Sequence, residues 1–519
     1  MSTIRQILRN TVTGWLAVAL RTAIALVMVP FLLTRLGKEG YGLVGLLGVI
    51  VSMAGVADLG LRSALGRELA EQVARKDRRA FSELASTALV LYLCLGTALA
   101  LIGWMLAPWF VTVFKVSESL RMDAIWLLRI YGTGSLILSF VTPVFASGLS
   151  SHHRFDVVNS IQIVGGTLCS LMLFAVIYFF DNPLYGWVGV MLTFQVITLL
   201  TKIACFKRFC EGAEIGVRFL RPSRLRSLFR LGGSMYALQM TQALSERSDP
   251  LVISAFFGPA GVALYQPGGR LSRVVRPVVL TLAQQMHPLT TKQHVEGNQG
   301  KMKQILFSGT RYTLLLGILF SVGLFIFADS FCRLWLFESI GDDYRVAALV
   351  MMGWALADFT TYAAGTQWSV LLGKKRLKFL IWTQLPTAVL NVLVSIYLIG
   401  FTKLGIPGAL VATVLIGIIR RPILIWHTAR VCGLRARDYL REAYAQPAVC
   451  LLATLAGAYW IRSAIQPDSY FSLIICAVLT AGIWGAGCWM IGFNSGERQV
   501  MLAVVRRTVF RRKAEERSA

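Results

Sequence analysis

The sequence predicts an all-α polytopic membrane protein of about fourteen transmembrane helices. Apolar runs of about 20 residues recur along the chain, and a helix of that length crosses about 30 Å of hydrocarbon. Charged residues make up only 15% of the 519 residues, whereas soluble domains carry about 25%. Helices are predicted rather than barrel strands because the runs are too long for strands and because lipid offers backbone groups no other partners.

Short polar segments divide the apolar runs into individual spans. The predicted spans are 12–34, 42–65, 83–106, 123–148, 157–180, 186–204, 231–257, 262–286, 305–328, 346–372, 380–401, 404–426, 447–465 and 469–492. No segment between them is long enough for a soluble catalytic domain. The predicted organisation is an N-lobe with helices 1–6, a C-lobe with helices 7–12 and a basic cytoplasmic connector, and a last part with helices 13–14 and a basic tail. Their boundaries are 1–205, 206–430 and 431–519.

The two lobes repeat two glycine turns. Gly37 and Gly258 each open a glycine-bracketed outer turn that ends near a tyrosine. Gly148 and Gly373 each open an inner turn that leads through basic residues to a phenylalanine. The offset in sequence number is nearly the same for both glycine pairs. Because each lobe has an even number of spans, the repeat is predicted to be parallel, as in transporters that bind their substrate between two halves.

The basic residues are concentrated on one side of the predicted topology. The net charge of +26 comes from 52 Lys and Arg against 26 Asp and Glu. With the N-terminus inside, about 34 of the basic residues fall in cytoplasmic segments and about 8 in outer loops. This bias predicts that both termini are cytoplasmic, the tail 506–517 included. It favours attraction to the anionic head groups of membrane lipids over binding to nucleic acid.

No sequence motif indicates enzymatic chemistry, a metal site or a bound cofactor. A P-loop, a G-x-S-x-G motif and paired acids on an exposed loop are all absent, so an enzyme is not predicted. The nine cysteines and five histidines show no metal-ligand spacing. Only Cys332 falls in an outer loop, which excludes a disulfide framework there. No cleavable signal peptide is expected, because Arg21 interrupts the first span and the apolar run continues past it.

Arginines inside the predicted spans are the main candidates for substrate binding. An intramembrane charge costs about 2.5–3.5 kcal/mol on insertion scales, so it is expected to face a wet cavity or a partner. Arg270, Arg273 and Arg276 recur at every third position of the eighth span and form a polar stripe. Guanidinium groups suit pyrophosphate because their planar fork donates two parallel hydrogen bonds. The stripe predicts a cavity for an anionic substrate; the alternative is a helix end whose arginines reach the head groups.

The other intramembrane arginines differ in their predicted depth. Arg21 lies near the middle of the first span, where reaching the head groups is difficult, and is a candidate for substrate binding. Arg129 is a further candidate, although it lies within reach of the outer interface. Arg311, Arg420 and Arg421 lie toward the inner ends of their spans and are expected to be interfacial.

Three acids within spans are candidates for ion coupling, and each has a structural alternative. Asp58 and Arg62 stand four residues apart on one helical face, which favours an ion pair over a proton site. Asp249 precedes Pro250, which removes a helix hydrogen bond and permits a hinge. Asp358 is a lone acid in the middle of the tenth span, and it either couples an ion or pairs with one of the arginines.

Four short motifs follow one another along the chain. They are Leu-Gly-Lys-Glu-Gly-Tyr-Gly-Leu at 36–43, Asp-Leu-Gly-Leu at 58–61, Arg-Phe-Asp-Val-Val-Asn at 154–159 and Gly-Ile-Pro-Gly-Ala at 405–409. Their order and spacing resemble the polysaccharide-transporter family. That family contains the O-antigen-type flippases and belongs to the multidrug, oligosaccharidyl-lipid and polysaccharide exporter superfamily. One departure is that Asp249 is followed by proline where the family often has a basic residue.

The resemblance implies a two-lobed bundle whose central cavity alternates between inward-open and outward-open states. The implied cargo is an undecaprenyl-pyrophosphate-linked oligosaccharide, carried across the bacterial inner membrane for O-antigen, capsule or exopolysaccharide synthesis. The related lipid II flippase handles a similar pyrophosphate with arginines on its first, second and eighth helices, where this chain has Arg21, Arg62 and Arg270. The implied partners are this anionic lipid-linked glycan, membrane lipids and other proteins of polysaccharide assembly.

Four alternative functions stay open on the sequence. A cation-coupled multidrug exporter of the same superfamily is expected to have an acidic cavity and few buried arginines. A lipid II flippase shares the pyrophosphate and differs in the glycan. A membrane-embedded glycan polymerase or ligase normally carries a large outer loop, and the longest outer loops here, 107–122 and 329–345, are short. A scaffold without transport activity would bind no lipid-linked sugar.

Overall fold

All regular structure in the described residues is helical. The computed structural model describes residues 2–499 apart from 59, 211 and 495, with side chains described outside 2–21, 54, 56, 226–235 and 238. The predicted basic tail at 506–517 therefore lies outside the described residues, and so does the side chain of Arg21.

Seventeen α-helices run through this part of the chain. In order they are α1 (Ser2–Ala54), α2 (Leu61–Arg75), α3 (Arg78–Val113), α4 (Arg121–Leu127), α5 (Thr133–Ser151), α6 (Phe155–Phe179), α7 (Pro183–Phe209), α8 (Ser223–Gly268), α9 (Arg270–Val295), α10 (Gln299–Ile326), α11 (Ala328–Ile340), α12 (Tyr344–Tyr362), α13 (Gly365–Gly373), α14 (Leu377–Phe401), α15 (Gly408–Val431), α16 (Ala436–Ile465) and α17 (Tyr470–Gly487). Each predicted span coincides with one of these helices or with two consecutive ones. Among the described residues, eleven helical stretches are long and apolar enough to span a membrane. The all-α polytopic fold class is confirmed.

Two predicted outer turns are kinks inside continuous helices. α1 passes through Gly37, which has φ 67° and ψ 174°. α8 passes through Gly258, which has φ 69° and ψ −174°. This backbone region is open almost only to glycine, so each glycine redirects the helix without a loop. A real break comes later, between Gly268 and Arg270, and it divides the predicted span 262–286 between α8 and α9.

Residues in the left-handed backbone region recur at a nearly constant offset, which supports the predicted repeat. Four pairs with positive φ have offsets in sequence number that agree to within a single position: Gly37 and Gly258, Lys76 and Gly297, His153 and Lys375, and Gly212 and Gly433. Local hydrogen bonds repeat as well. Asp77 caps α3 by accepting the N–H of Ala80 at 2.9 Å, and Asn298 caps α10 by accepting the N–H of Lys301 at 3.0 Å.

One of the two predicted pairings needs a correction of register. The sequence paired Gly148 with Gly373, an offset slightly larger than that of Gly37 and Gly258. In the structure the equivalent turn residues are His153 and Lys375. Each follows a helix end and donates its N–H to a carbonyl three residues earlier. The glycine spacing was misleading because Gly148 lies within α5, where a Cβ atom would lie 2.3 Å from the Phe206 ring.

The chain forms two compact units. The first contains residues 1–267, 336–346 and 381–412, and one of its cores joins α2, α3, α5 and α7 through buried residues that include Leu65, Leu84, Val144 and Phe206. The second contains residues 268–335, 347–380 and 413–519. There α10 packs against α9, α13 and α16, and one core includes Ile318, Cys450, Ala458 and Cys476. The predicted lobe boundaries at residues 205 and 430 stay predictions.

Candidate functional site

The break before α9 brings its first turn against α12 in the second unit. A Cβ atom on Gly268 would lie 2.5 Å from the backbone oxygen of Ala347. A Cβ atom on Gly269 would lie 2.8 Å from the indole nitrogen of Trp354. Only glycine permits approaches this close. The pair therefore ends α8, lets α9 begin at Arg270, and seats the new helix against α12.

Two of the predicted arginines lie in this first turn of α9. Arg270 and Arg273 stand at the positive end of the helix dipole, and the turn contains no acid. The Nε atom of Arg270 is buried and makes no hydrogen bond. Two cations at a helix N-terminus repel the dipole as well as each other. An anion bound in front of this turn would stabilise both side chains.

The third predicted arginine is paired with the acid that looked isolated in the sequence. Arg276 lies two turns into α9, and its Nε atom is 3.7 Å from Oδ1 of Asp358 on α12. Ser272 donates a hydrogen bond to Oδ2 of the same carboxylate. Asp358 is almost fully buried, whereas Arg276 keeps 27% of its side chain exposed. The sequence left two roles open for Asp358, coupling an ion or pairing with an arginine. In the structure Asp358 forms the pair with an arginine.

Two further arginines come close to this pair from α15. Arg420 and Arg421 lie in the middle of that helix, and the Nε atom of each is buried without a hydrogen bond. Arg421 donates to the Thr360 hydroxyl at 3.5 Å. Both side chains lie close enough to Arg276 for their charges to repel it. No acid in the described part of the chain pairs with Arg420 or Arg421. We call Arg276, Asp358, Arg420 and Arg421 the arginine cluster.

The structure shows the surroundings of Arg420, Arg421 and Arg311, and that they are interfacial stays a prediction. The span was predicted to end at residue 426, whereas α15 continues to Val431 and leaves Arg420 and Arg421 near its centre. Arg311 is also buried, and it pairs with Glu497 beyond the last helix and donates to Gln446 at 3.2 Å. The lack of nearby acids beside Arg420 and Arg421 in the sequence is the signal that could have identified them.

The first unit contains the ion pair between Asp58 and Arg62 that the sequence predicted. Asp58 ends a short 3-10 turn, and its Oδ2 atom lies 3.6 Å from Nε of Arg62 in the first turn of α2. Its Oδ1 atom accepts the N–H of Gly60 at 2.8 Å. Asp58 is buried, while Arg62 is 53% exposed and faces a cavity. The arrangement is an ion pair with one cation for one acid, and we call it the local pair.

Asp249 has a different environment in the same unit. It is 1% exposed and accepts a hydrogen bond from the Tyr265 hydroxyl at 3.0 Å. Its second oxygen, Oδ1, makes no hydrogen bond, although the Ser395 hydroxyl lies close to the carboxyl group. No ion pair of Asp249 occurs among the described residues. At Pro250 α8 keeps helical backbone angles, whereas they are interrupted at Gly258. A hinge at Pro250 stays a prediction. Asp249 is thus a buried acid without a cation.

The structure says least about the two remaining predicted site residues, Arg129 and Arg21. Arg129 lies in a π-helical turn, with its guanidinium 5.3 Å from the Trp104 ring and 5.5 Å from the Trp126 ring. Both tryptophans are exposed, as expected for rings at a membrane interface. The backbone of Arg21 lies within α1, and its side chain is outside the described residues. Substrate binding by either arginine stays a prediction.

The sequence of this chain is similar to those of known proteins. A family model described as "Polysaccharide biosynthesis protein" matches residues 7–294. A protein of Shigella flexneri described as an O-antigen transporter is 23% identical over 438 residues, which cover 82% of this chain and 99% of that protein. These matches confirm the family resemblance that the motifs indicated.

Two solved structures share the fold. The lipid II flippase MurJ in an inward closed conformation matches with a TM-score of 0.68 at 15% identity, covering 92% of this chain and 98% of that one. An inward-facing multidrug transporter of the MATE family in the MOP superfamily matches with a TM-score of 0.65 at 17% identity, covering 80% and 94%. At these identities the likeness concerns the fold alone.

Proposed function

This chain belongs to the polysaccharide biosynthesis protein family, and from that membership we propose that it flips a lipid-linked oligosaccharide across the bacterial inner membrane. The proposed cargo is an undecaprenyl-pyrophosphate-linked glycan destined for O-antigen, capsule or exopolysaccharide. The proposed mechanism is alternating access, in which the binding site opens to one side of the membrane at a time.

The arginine cluster is the observation that carries this proposal. Arg276 pairs with Asp358, and Arg420 and Arg421 lie near Arg276, so these three guanidinium groups and one carboxylate give the cluster a surplus of two positive charges. Buried charges of one sign are costly unless a counter-charge arrives. A pyrophosphate offers several charged oxygens at the spacing that guanidinium forks recognise. Arg270 and Arg273 in the first turn of α9 add two donors and the end of a helix dipole.

A cationic drug does not fit the same surroundings. Multidrug exporters share this fold, so fold does not separate the two functions. The sign of the buried charge does, because the cluster repels a cation and attracts an anion. A lipid II flippase would use the same pyrophosphate chemistry, and only the glycan distinguishes it from the proposed function.

Asp249 is the acid best suited to ion coupling. Asp58 and Asp358 each have an arginine within 4 Å, which keeps them in structural pairs. Asp249 has a hydroxyl donor and a second oxygen without a hydrogen bond, so it has capacity for a proton or a cation. We include ion-driven transport through Asp249 in the proposal.

Transport by purified protein tests the function. The chain is reconstituted in vesicles of neutral lipid that contain a fluorescent undecaprenyl-pyrophosphate oligosaccharide in both leaflets. Enzymatic cleavage or quenching from outside reports the glycan that reaches the outer leaflet. We expect flipping of this glycan and no uptake of a cationic dye. Dye uptake without glycan flipping would instead support a multidrug exporter, and flipping of lipid II alone would support a peptidoglycan role.

The proposed inner-membrane topology has its own test. The positive-inside bias predicts cytoplasmic termini and places Ser339 outside. Reporter fusions at the C-terminus and after Ser339 should therefore label opposite sides of the membrane. Labelling from one side only contradicts the fourteen-helix topology.

A further inference from the structure

A second cationic site lies inside the first unit, and its walls include no residue of the arginine cluster. α2, α5, α6 and α7, with Val51 of α1, line an open cavity of about 680 Å³. Ligand pockets in proteins typically measure about 300–1,000 Å³. Two cations line it, Lys202 and the half-exposed Arg62 that pairs with Asp58. No acid is among its lining residues in the described part of the chain.

Lys202 is the unexplained residue of this cavity. It lies near the end of the predicted span 186–204, and the structure buries it within α7 at 5% exposure. No hydrogen bond or ion pair of its ammonium group occurs in the described residues. The charge of Arg62 faces it across the cavity and repels it. Its ammonium group opens onto the cavity, so an anion bound there would give this charge a partner.

The rest of the wall is rich in groups that recognise hydroxyls. Six serine and threonine side chains line the cavity: Ser135, Ser139, Thr142, Ser147, Ser150 and Thr198. Two glutamines join them, and one of these, Gln195, donates to the Ser135 hydroxyl at 3.0 Å. Ser139 and Thr142 donate to their own helix backbone, so their oxygens remain available as acceptors. Phosphate beside several hydroxyls is the chemistry that this wall matches.

We propose that this cavity binds the phosphate-bearing head of the lipid-linked oligosaccharide, with Lys202 and Arg62 on the phosphates and the hydroxyl-rich wall on the adjoining sugars. The assignment to a glycan carrier rests on the proposed function. Glycerophospholipids also present a phosphate beside hydroxyls, and phosphatidylglycerol is the probe that separates the two sources. The site requires no contribution from the second unit.

Binding to purified full-length protein in discs of neutral phosphatidylcholine tests the assignment. The probes are farnesyl pyrophosphate, farnesyl pyrophosphate carrying a disaccharide, inorganic pyrophosphate and phosphatidylglycerol. In Lys202→Met we expect the affinity for both farnesyl probes to fall about tenfold or more, as for the loss of a charge-assisted hydrogen bond. Lys202→Arg keeps the charge and should retain most of the affinity. Lys207→Met is the matched control, because Lys207 is exposed in the last turn of the same helix.

Stability separates a binding role from a structural one. Lys202 has no partner to lose, so Lys202→Met should unfold at the same temperature as the wild type or a higher one. A second variant probes the space instead of the charge. A Cβ atom on Gly166, which lines the cavity, meets no atom within 4 Å. Gly166→Leu should therefore exclude the disaccharide probe while inorganic pyrophosphate still binds.

The possible outcomes separate this proposal from the proposed function. Wild-type flipping and affinity in Lys202→Met would overturn the cavity site and leave the proposed function intact. Tighter Lys202-dependent binding of phosphatidylglycerol than of either farnesyl probe would overturn the glycan assignment. A wild type that flips no glycan in vesicles removes the proposed function, whatever Lys202 binds. Loss of both farnesyl probes in Lys202→Met with unchanged stability supports the site.

Discussion

The local pair and the arginine cluster both consist of arginine and aspartate, and they differ in the balance between positive and negative charges. Asp58 and Arg62 stand four residues apart, and Arg62 is half exposed, so one acid pairs with one cation beside a cavity. Asp358 and Arg276 lie on different helices far apart in sequence, and two more guanidiniums come close from a third helix. Sequence neighbours can neutralise each other, whereas a charge surplus is built by helices that meet only in the folded chain.

The difference has an energetic meaning. A partly exposed i,i+4 pair contributes only about 0.3–0.5 kcal/mol. Removing one partner of a buried pair costs about 3–5 kcal/mol, because the other charge is left without compensation. The two regions should therefore respond very differently to the same substitution.

The largest effect is expected for Asp358→Asn. This change leaves Arg276 without its carboxylate beside Arg420 and Arg421, and it should destabilise the protein by about 3 kcal/mol, at the low end of the buried range because Arg276 is partly exposed. Thermal unfolding in detergent measures the loss. Adding Arg276→Gln should restore part of it. Asp329→Asn is the control, since the Asp329–Arg462 pair is far more exposed; an equal loss there contradicts the special status of the cluster.

Arg421→Gln should separate transport from stability. Arg421 has no acid partner in the described residues, so its removal relieves repulsion and should leave the protein inserted and abundant. Glycan flipping should fall about tenfold or more, the value of a charge-assisted hydrogen bond to pyrophosphate. Arg430→Gln in the last turn of the same helix, where Arg430 stacks on Trp426, is the matched control. Unchanged flipping in Arg421→Gln would make the cluster structural.

Asp249→Asn tests the acid that belongs to neither region. It keeps the side-chain shape and the acceptor for Tyr265 but removes the charge. If Asp249 couples transport to an ion, flipping should become severalfold slower and lose its response to an imposed pH gradient or membrane potential. Tyr265→Phe removes only the hydrogen bond and should retain that response. Wild-type flipping that ignores every imposed gradient rules out coupling altogether.

The smallest effect is expected for Asp58→Asn. The side-chain oxygen can still accept the Gly60 N–H, and only the attraction to a half-exposed Arg62 is lost. Stability should change by about 0.2–1 kcal/mol. A loss as large as that in Asp358→Asn would erase the distinction between the two regions. Equal and small losses of stability in Asp58→Asn and Asp358→Asn would show that the arginine cluster stays folded with its surplus of positive charge.

Much of the fold could be predicted because membrane spans are a local property. About 20 apolar residues must form a helix in lipid, whatever surrounds them. The repeat was also visible, since Gly37 and Gly258 need a backbone conformation that almost no other residue adopts. The register of the second turn was less accurate, because His153 and Lys375 take left-handed backbone without any glycine to mark them.

The sequence by itself determined the membrane fold, the kink glycines and the Asp58–Arg62 pair, because spans, special backbone angles and i,i+4 contacts depend only on residues close along the chain. Tertiary structure alone decided that Asp358 pairs with Arg276, that Arg421 is buried beside them and that Lys202 faces Arg62 across a cavity. Those contacts join helices far apart in sequence, and the depth and balance of a charge depend on which helices surround it.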